Sequence, residues 1–325
     1  MAMLRPLVLL VVTSALTGQL GCSGSPAAPV DAGVEAGQGH RTLTMLVNDA
    51  PWKGLQHVGG MAVDAQNRVY FEDTENVWLF DGQNVSTYLT LAEAAAQAPP
   101  TVTSWISDLD RGPDGLLYVV VSGFGSADAV AVVVRSSSPH VAQRWLDVSN
   151  IGAARLSVIS ADRVAIVNVA GLYTASATNQ ALVYPNALLD NAENCALQDL
   201  TAAPTGVFLY QPGCNGSPLY RGKVDGSGVA TVTGFNVTHM CTARDPKGGF
   251  YIVVDDFPPG AARIYHLADG ATDVAGATLV ETTPSLAAVQ GMQDDPLIFM
   301  FCSMAAASDG SLYLQTFQQL WKVSP

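Results

Sequence analysis

Between Leu43 and Val323 the apolar residues fall into short runs, mostly three to seven long, separated by Gly, Asp, Asn and Pro. Runs that short, rich in Val, Ile and Tyr and bounded by turn residues, predict strands rather than helices. One unit recurs: a short apolar strand, a turn, then a strand with an aromatic residue near its start. Gly60-Met-Ala-Val-Asp64 leads to Asn67-Arg-Val-Tyr-Phe71, and Ile106-Ser-Asp-Leu-Asp110 leads to Pro113-Asp-Gly-Leu-Leu-Tyr-Val119. Leu156-Ser-Val-Ile159 precedes Asp162-Arg-Val-Ala-Ile166, and Leu197-Gln-Asp-Leu-Thr201 precedes Thr205-Gly-Val-Phe-Leu209. Cys241-Thr-Ala-Arg-Asp245 and Cys302-Ser-Met-Ala-Ala-Ala307 open the last two units. The anchors Tyr70, Tyr118, Ala165, Phe208, Tyr251 and Tyr313 lie 43 to 48 residues apart, except for a last interval of 62.

That period is the length of a four-stranded propeller blade. Third strands follow the pairs, as in Val77-Trp-Leu-Phe80, Ala131-Val-Val-Val-Arg135 and Ala262-Arg-Ile-Tyr-His266. Strands covered on both faces explain unbroken runs such as Val119-Val-Val121. The chain ends after the third strand of its sixth unit, and the strand Leu43-Thr-Met-Leu-Val47 is spare. Pairing the two would close a ring and protect its edges. The expected fold is therefore all-β: a six-bladed β-propeller over residues 41–325, with the N-terminal strand closing the last blade. The alternative is seven blades, one of them inside the long insertion between Asp269 and Asp295.

The first 40 residues have a different character. Arg5 and the apolar stretch Pro6 to Leu16 read as a signal peptide over residues 1–21, too short to span a bilayer. Gln19-Leu-Gly-Cys-Ser23 resembles a bacterial lipobox, with Gly21 before the lipidated Cys22 and Gln19 in place of the usual aliphatic residue. Ordinary cleavage nearby, without lipid, is the alternative. Residues 22–40 are rich in Gly, Ala and Asp and read as a lipid anchor with a flexible tether, similar in composition to those of myxobacterial lipoproteins. This places the protein in the outer membrane, in the periplasm or on the surface of a Gram-negative cell.

Charge narrows the partners. Fifteen Lys and Arg against 28 Asp and Glu leave a net charge of −13, with only 13% of residues charged and 49% hydrophobic. A nucleic-acid backbone is excluded as partner by that balance. No Walker A motif and no Gly-x-Ser-x-Gly elbow occurs.

Gly60-Met-Ala-Val-Asp64 with Arg68-Val-Tyr-Phe71, and Asp309-Gly-Ser-Leu-Tyr313, resemble blades of the NHL-repeat and gluconolactonase-like propellers. The resemblance implies a ligand mouth where first strands start and second strands end. Strand starts bring His57, Trp105, Arg155, Cys195, His239 and Phe301 there; strand ends bring Glu72, Asp73, Asp255 and Asp256. Trp105, Arg155 and Phe301 would line the mouth. His57 and His239 could act as acid and base, or be plain loop histidines. The family's metal-binding carboxylates are missing from the strand starts, which argues against lactonase chemistry. Glu72, Asp73, Asp255 and Asp256 could supply a Ca²⁺ site, or be solvated turn acids. No other cofactor is implied.

Cysteines complete the picture. Four remain beside Cys22, and export permits disulfides. Cys195 and Cys214 flank one predicted hairpin nearly opposite each other, and Cys241 and Cys302 occupy equivalent starts of neighbouring blades. Free buried thiols are the alternative. The reading that follows is a monomeric, exported binding or scaffold module for an envelope protein or glycan, touching the membrane only through its lipid. The alternative is a lyase or hydrolase using the mouth histidines and a divalent metal.

Overall fold

A computed structural model describes residues 41–48, 59–97, 104–123, 129–135, 141–147, 155–168, 171–185, 197–212, 218–234, 240–255, 262–283, 303–315 and 319–325. Strand β1 (Thr42–Val47) comes first. Sheet I follows as β2 (Met61–Val63), β3 (Val69–Glu72), β4 (Asn76–Phe80) and β5 (Val85–Thr90), then the short helix α1 (Leu91–Ala95). Sheet II holds β6 (Ser104–Arg111), β7 (Leu117–Gly123), β8 (Ala129–Arg135) and β9 (Val141–Asp147). Sheet III holds β10 (Arg155–Ser160), β11 (Arg163–Asn168), β12 (Gly171–Ser176) and β13 (Asn179–Pro185). Sheet IV holds β14 (Leu197–Ala202), β15 (Val207–Pro212), β16 (Leu219–Lys223) and β17 (Ala230–Val232). Sheet V holds β18 (Met240–Arg244), β19 (Phe250–Asp255), β20 (Ala262–Leu267) and β21 (Ala277–Thr283). Sheet VI joins β22 (Ser303–Ala306), β23 (Leu312–Gln315) and β24 (Leu320–Ser324) to β1, which supplies its outer strand.

The protein is an all-β propeller. Each sheet is a four-stranded antiparallel meander, and the first strands neighbour one another in the closed order β2, β6, β10, β14, β18, β22 and back to β2. The spare N-terminal strand takes the expected place: Leu43 lies opposite Val323 and Met45 opposite Trp321.

The hydrophobic core is divided among the seams between sheets. Tyr118 and Val120 of β7 pack on Leu156 and Val158 of sheet III, whereas Val119 and Val121 pack on Ala62 and Tyr70 of sheet I. Alternate residues of one strand thus enter different cores, which is why 119–121 reads as an unbroken apolar run. A further core joins Tyr313 and Leu320 of sheet VI to Met61 and Phe71 of sheet I across the join of the chain's two ends.

The repeat's Asp and aromatic residues have a local cause. Asp64 accepts from the amides of Gln66 and Arg68 at 2.9 Å each, and the Tyr70 hydroxyl reaches its other oxygen at 3.3 Å. The Asp114 carboxylate holds the Tyr118 hydroxyl at 2.9 Å in the same way. In five of the six sheets this turn carries a left-handed residue: Asn67 with φ 60° in sheet I, and glycine in sheets II, IV, V and VI, as at Gly115 with φ 81°.

Gly60 sits where sheets I and II approach closely. A Cβ built there would lie 1.9 Å from the Leu109 carbonyl oxygen and 2.4 Å from Asp108 Oδ1. Gly60→Ala is therefore expected to lower unfolding stability by about 1–3 kcal/mol, as overpacking does. Gly270→Ala, where nothing lies within 4 Å, should leave it unchanged. Equal denaturation midpoints for the two variants would contradict the close seam.

Candidate functional site

The first strands present their unpaired edges to the middle of the ring. A buried backbone N–H left without a partner is costly. Four side chains meet that need on strands β10, β14 and β18. The Asp108 carboxylate takes the Leu156 amide at 2.6 Å, and Asp110 takes the Val158 amide at 2.7 Å. The Ser157 hydroxyl takes the Ala202 amide at 2.9 Å, and Asp199 takes the Thr242 amide at 2.6 Å and its hydroxyl at 2.7 Å. Asp108 and Asp199 occupy matching places. Each follows a register shift in its strand and accepts the amide of the next residue, Leu109 or Leu200. The bulge aims the carboxylate sideways at the neighbouring sheet.

Two arginines accompany these acids. Arg155 at the start of β10 is buried, with Nη1 3.9 Å from Asp108 Oδ1 and 3.4 Å from the Ser107 carbonyl. Arg244 at the end of β18 crosses to the far side of the ring. It donates to Asp110 Oδ1 at 2.6 Å, to the Val158 carbonyl at 2.6 Å and to the Arg111 carbonyl. A cavity of about 300 Å³ runs along this axis, takes lining from all six first strands, and reaches Pro113, Pro204 and Pro246 in the hairpin turns.

Glu72 is the outlier. Its side chain is fully buried, and neither carboxyl oxygen makes a hydrogen bond among the described residues, although the Gly60 backbone lies against it. Gly59 makes the room: a Cβ there would fall 1.4 Å from Glu72 Oε1. Burial, reinforced by the Asp108 charge, holds the Glu72 carboxyl well above the usual range, while Arg155 pulls the other way. Asp108 is pushed up to about 7, again by burial first, with Arg155 and the Leu156 amide opposing. Burial raises Asp199 as well, against the Thr242 hydroxyl bond.

Of the residues expected at the mouth, His57, His239, Phe301, Asp256 and Cys195 lie outside the described residues, as do the disulfide candidates Cys214 and Cys302 and the lipidation candidate Cys22. Trp105 is half-buried on β6, and Asp255 ends β19. Glu72 and Asp73 are adjacent in sequence but differ in place. Asp73 is tied to its own turn, accepting from the amides of Glu75 at 2.8 Å and Asn76 at 2.7 Å and from the Trp78 indole at 2.9 Å. Among the described residues, no three His, Cys, Asp or Glu side chains converge as metal ligands. Asp108, Asp110, Asp199 and Arg244 were not read as site residues from sequence. The available signal was charge inside strands that the apolar pattern buries on both faces.

No protein-family model matches the chain, and no curated protein matches it. Solved structures do. A streptogramin B lyase structure aligns over 87% of this chain and 97% of its own with TM-score 0.54 and 9% identity. A glucose dehydrogenase aligns over 87% and 99% with TM-score 0.52 and 14% identity. A chain of a mitotic checkpoint complex aligns over 86% and 95% with TM-score 0.53 and 14% identity. At such identities the likeness shows the propeller fold alone.

The raised Glu72 carboxyl has a consequence for stability. The unfolded chain releases this proton near its ordinary value, 4.5, while the folded state keeps it to higher pH. The folded state therefore binds more protons above that value, and stability falls as pH rises. Asp108 adds a fall that ends near pH 7. Unfolding stability measured from pH 5 to 8 should decline, and Glu72→Gln should flatten the decline and be the more stable protein at pH 8. Parallel curves for the two proteins would contradict a buried, proton-holding Glu72.

Proposed function

We propose that the protein is an exported, lipid-anchored binding module whose six sheets are the blades of a single six-bladed ring, held at the envelope of a Gram-negative cell by Cys22 and a tether over residues 22–40. The carrying observation is how the ionisable groups on the axis are used. Asp108, Asp110, Asp199 and Arg244 are bonded to backbone groups of neighbouring sheets, so they hold the ring together, and an open cavity remains among them. That arrangement suits holding a ligand or a partner. Propellers of similar fold occur in a mitotic checkpoint complex and in a nidogen/laminin complex, which supports a protein partner; on this reading the partner is a protein or glycan of the envelope. The enzymatic alternative rests on His57 and His239 with a divalent metal. It draws support from the names of the similar lyase and dehydrogenase structures and from the buried, proton-holding Glu72.

Two disulfides belong to this reading. Leu197 lies opposite Pro212 at the outer end of the β14–β15 pair, and Cys195 and Cys214 each stand two residues beyond them in the sequence. Cys241 is buried on β18, and Cys302 immediately precedes β22, the neighbour of β18. We therefore pair Cys195 with Cys214 and Cys241 with Cys302. Non-reducing peptide mapping should recover those two pairs; Cys241 joined to Cys195 would overturn the assignment.

Anchoring and binding are tested on the full chain. Expressed in a Gram-negative host with an alkyne-labelled palmitate, the protein should take up label and sediment with membranes, whereas Cys22→Ser should be unlabelled and released. Label retained in Cys22→Ser would exclude the anchor. Thermal shift against a panel of envelope saccharides and envelope proteins should identify a binder that raises the melting temperature. Turnover of a panel compound, lost in His57→Ala or His239→Ala, would replace the binding reading with the enzymatic one.

A further inference from the structure

Resting on the binding reading, we propose that the axial cavity is a receptor for a compact carboxylate, held by the Arg244 guanidinium. Arginine carries five N–H donors. Arg244 commits three, to the Val158 carbonyl, Asp110 Oδ1 and the Arg111 carbonyl. Two remain among the described residues, on a side chain that is 22% exposed and lines the cavity.

The neighbouring acids are occupied. Asp110 accepts from the Arg111 amide at 2.7 Å, Arg244 at 2.6 Å, the Ser157 hydroxyl at 3.1 Å and the Val158 amide at 2.7 Å, which fills both oxygens. Asp199 accepts three bonds of its own. Asp110 is filled while Arg244 keeps two donors on this wall, so a ligand that brings acceptors is met there. A guanidinium can hold one carboxylate on each edge, and charge-assisted bonds are about twice as strong as neutral ones. That favours a carboxylate over a hydroxyl or an amide carbonyl. The cavity, about 300 Å³, lies at the small end of ligand pockets and suits one sugar ring or a small acid. Asp110 and Asp199 oppose the incoming negative charge, and Asp108 on the same wall, pushed up to about 7 by burial beside Glu72 and against the pull of Arg155, answers it by taking up a proton. Binding should therefore tighten as pH falls from 8 to 6.

The test titrates the full chain calorimetrically with glucuronate, with glucose as its neutral counterpart, and with acetate. Glucuronate should bind at least tenfold tighter than glucose, and tighter at pH 6 than at pH 8. Arg244→Gln should erase that preference while leaving any weak glucose binding. Because Arg244 also ties three sheets together, its Nε–H resonance in the wild-type protein provides a second readout and should shift on adding glucuronate. Acetate matching glucuronate would assign the site to small acids; acetate at least tenfold weaker would assign it to acidic sugars. Glucose binding as tightly as glucuronate, or an unmoved Arg244 resonance at saturation, overturns the carboxylate assignment and leaves the binding reading standing. Failure of the whole envelope panel would instead remove that reading.

Discussion

The structure depends on how the inner edges of its sheets are satisfied. A ring of sheets removes the outer-edge problem only in part, because each first strand still turns one edge of N–H and C=O groups toward the axis. In an interior with little water those groups need partners. Here the partners on three consecutive first strands are short side chains from the sheet before: Asp108 and Asp110 reach β10, Ser157 reaches β14, and Asp199 reaches β18. Each bond satisfies an edge and also fixes one sheet against the next. Packing between sheets supplies the bulk of the favourable free energy, but apolar contacts are non-directional. The carboxylate bonds set the angle and height at which neighbouring sheets meet.

The same device shapes the electrostatics of the axis. Carboxylates drawn inward to meet amides lose solvation, which raises Asp108 and Asp199, and the two arginines offset part of their charge. Glu72 joins this group from the end of β3, buried against Gly59 and Gly60, and burial raises it too. Arg244 acts differently from the carboxylates. It spans the ring rather than one seam, tying sheet V to sheets II and III. It also carries the unspent donors that give the cavity a chemical preference. Structure and recognition therefore draw on the same few side chains.

Much of the fold was legible in the sequence. The interval between Tyr70, Tyr118 and their counterparts reflects a local fact: each aromatic residue stands just past a turn, and in sheets I and II an Asp in that turn holds its hydroxyl. The spare strand 43–47 was legible because the count of strands left sheet VI one short. The axis was not legible to the same degree. Asp108 and Asp199 look like ordinary polar interruptions in apolar strands, and nothing local reports that a bulge turns each toward the next sheet. Arg244 and Asp110 are 134 residues apart and meet only because the ring closes. Glu72 was singled out for a metal because carboxylates at strand ends suggest one; its burial against Gly59 is a property of tertiary packing.

The central claim is that side chains from one sheet hold the inner edge of the next. Its most direct measurement is native-state hydrogen exchange at the Thr242 amide in the wild type and in Asp199→Ala. The account predicts that exchange at Thr242 speeds by at least tenfold in the variant, while Leu156 and Val158, held by Asp108 and Asp110, keep their protection. Unchanged exchange at Thr242, or an equal loss of protection at all three amides, would contradict it.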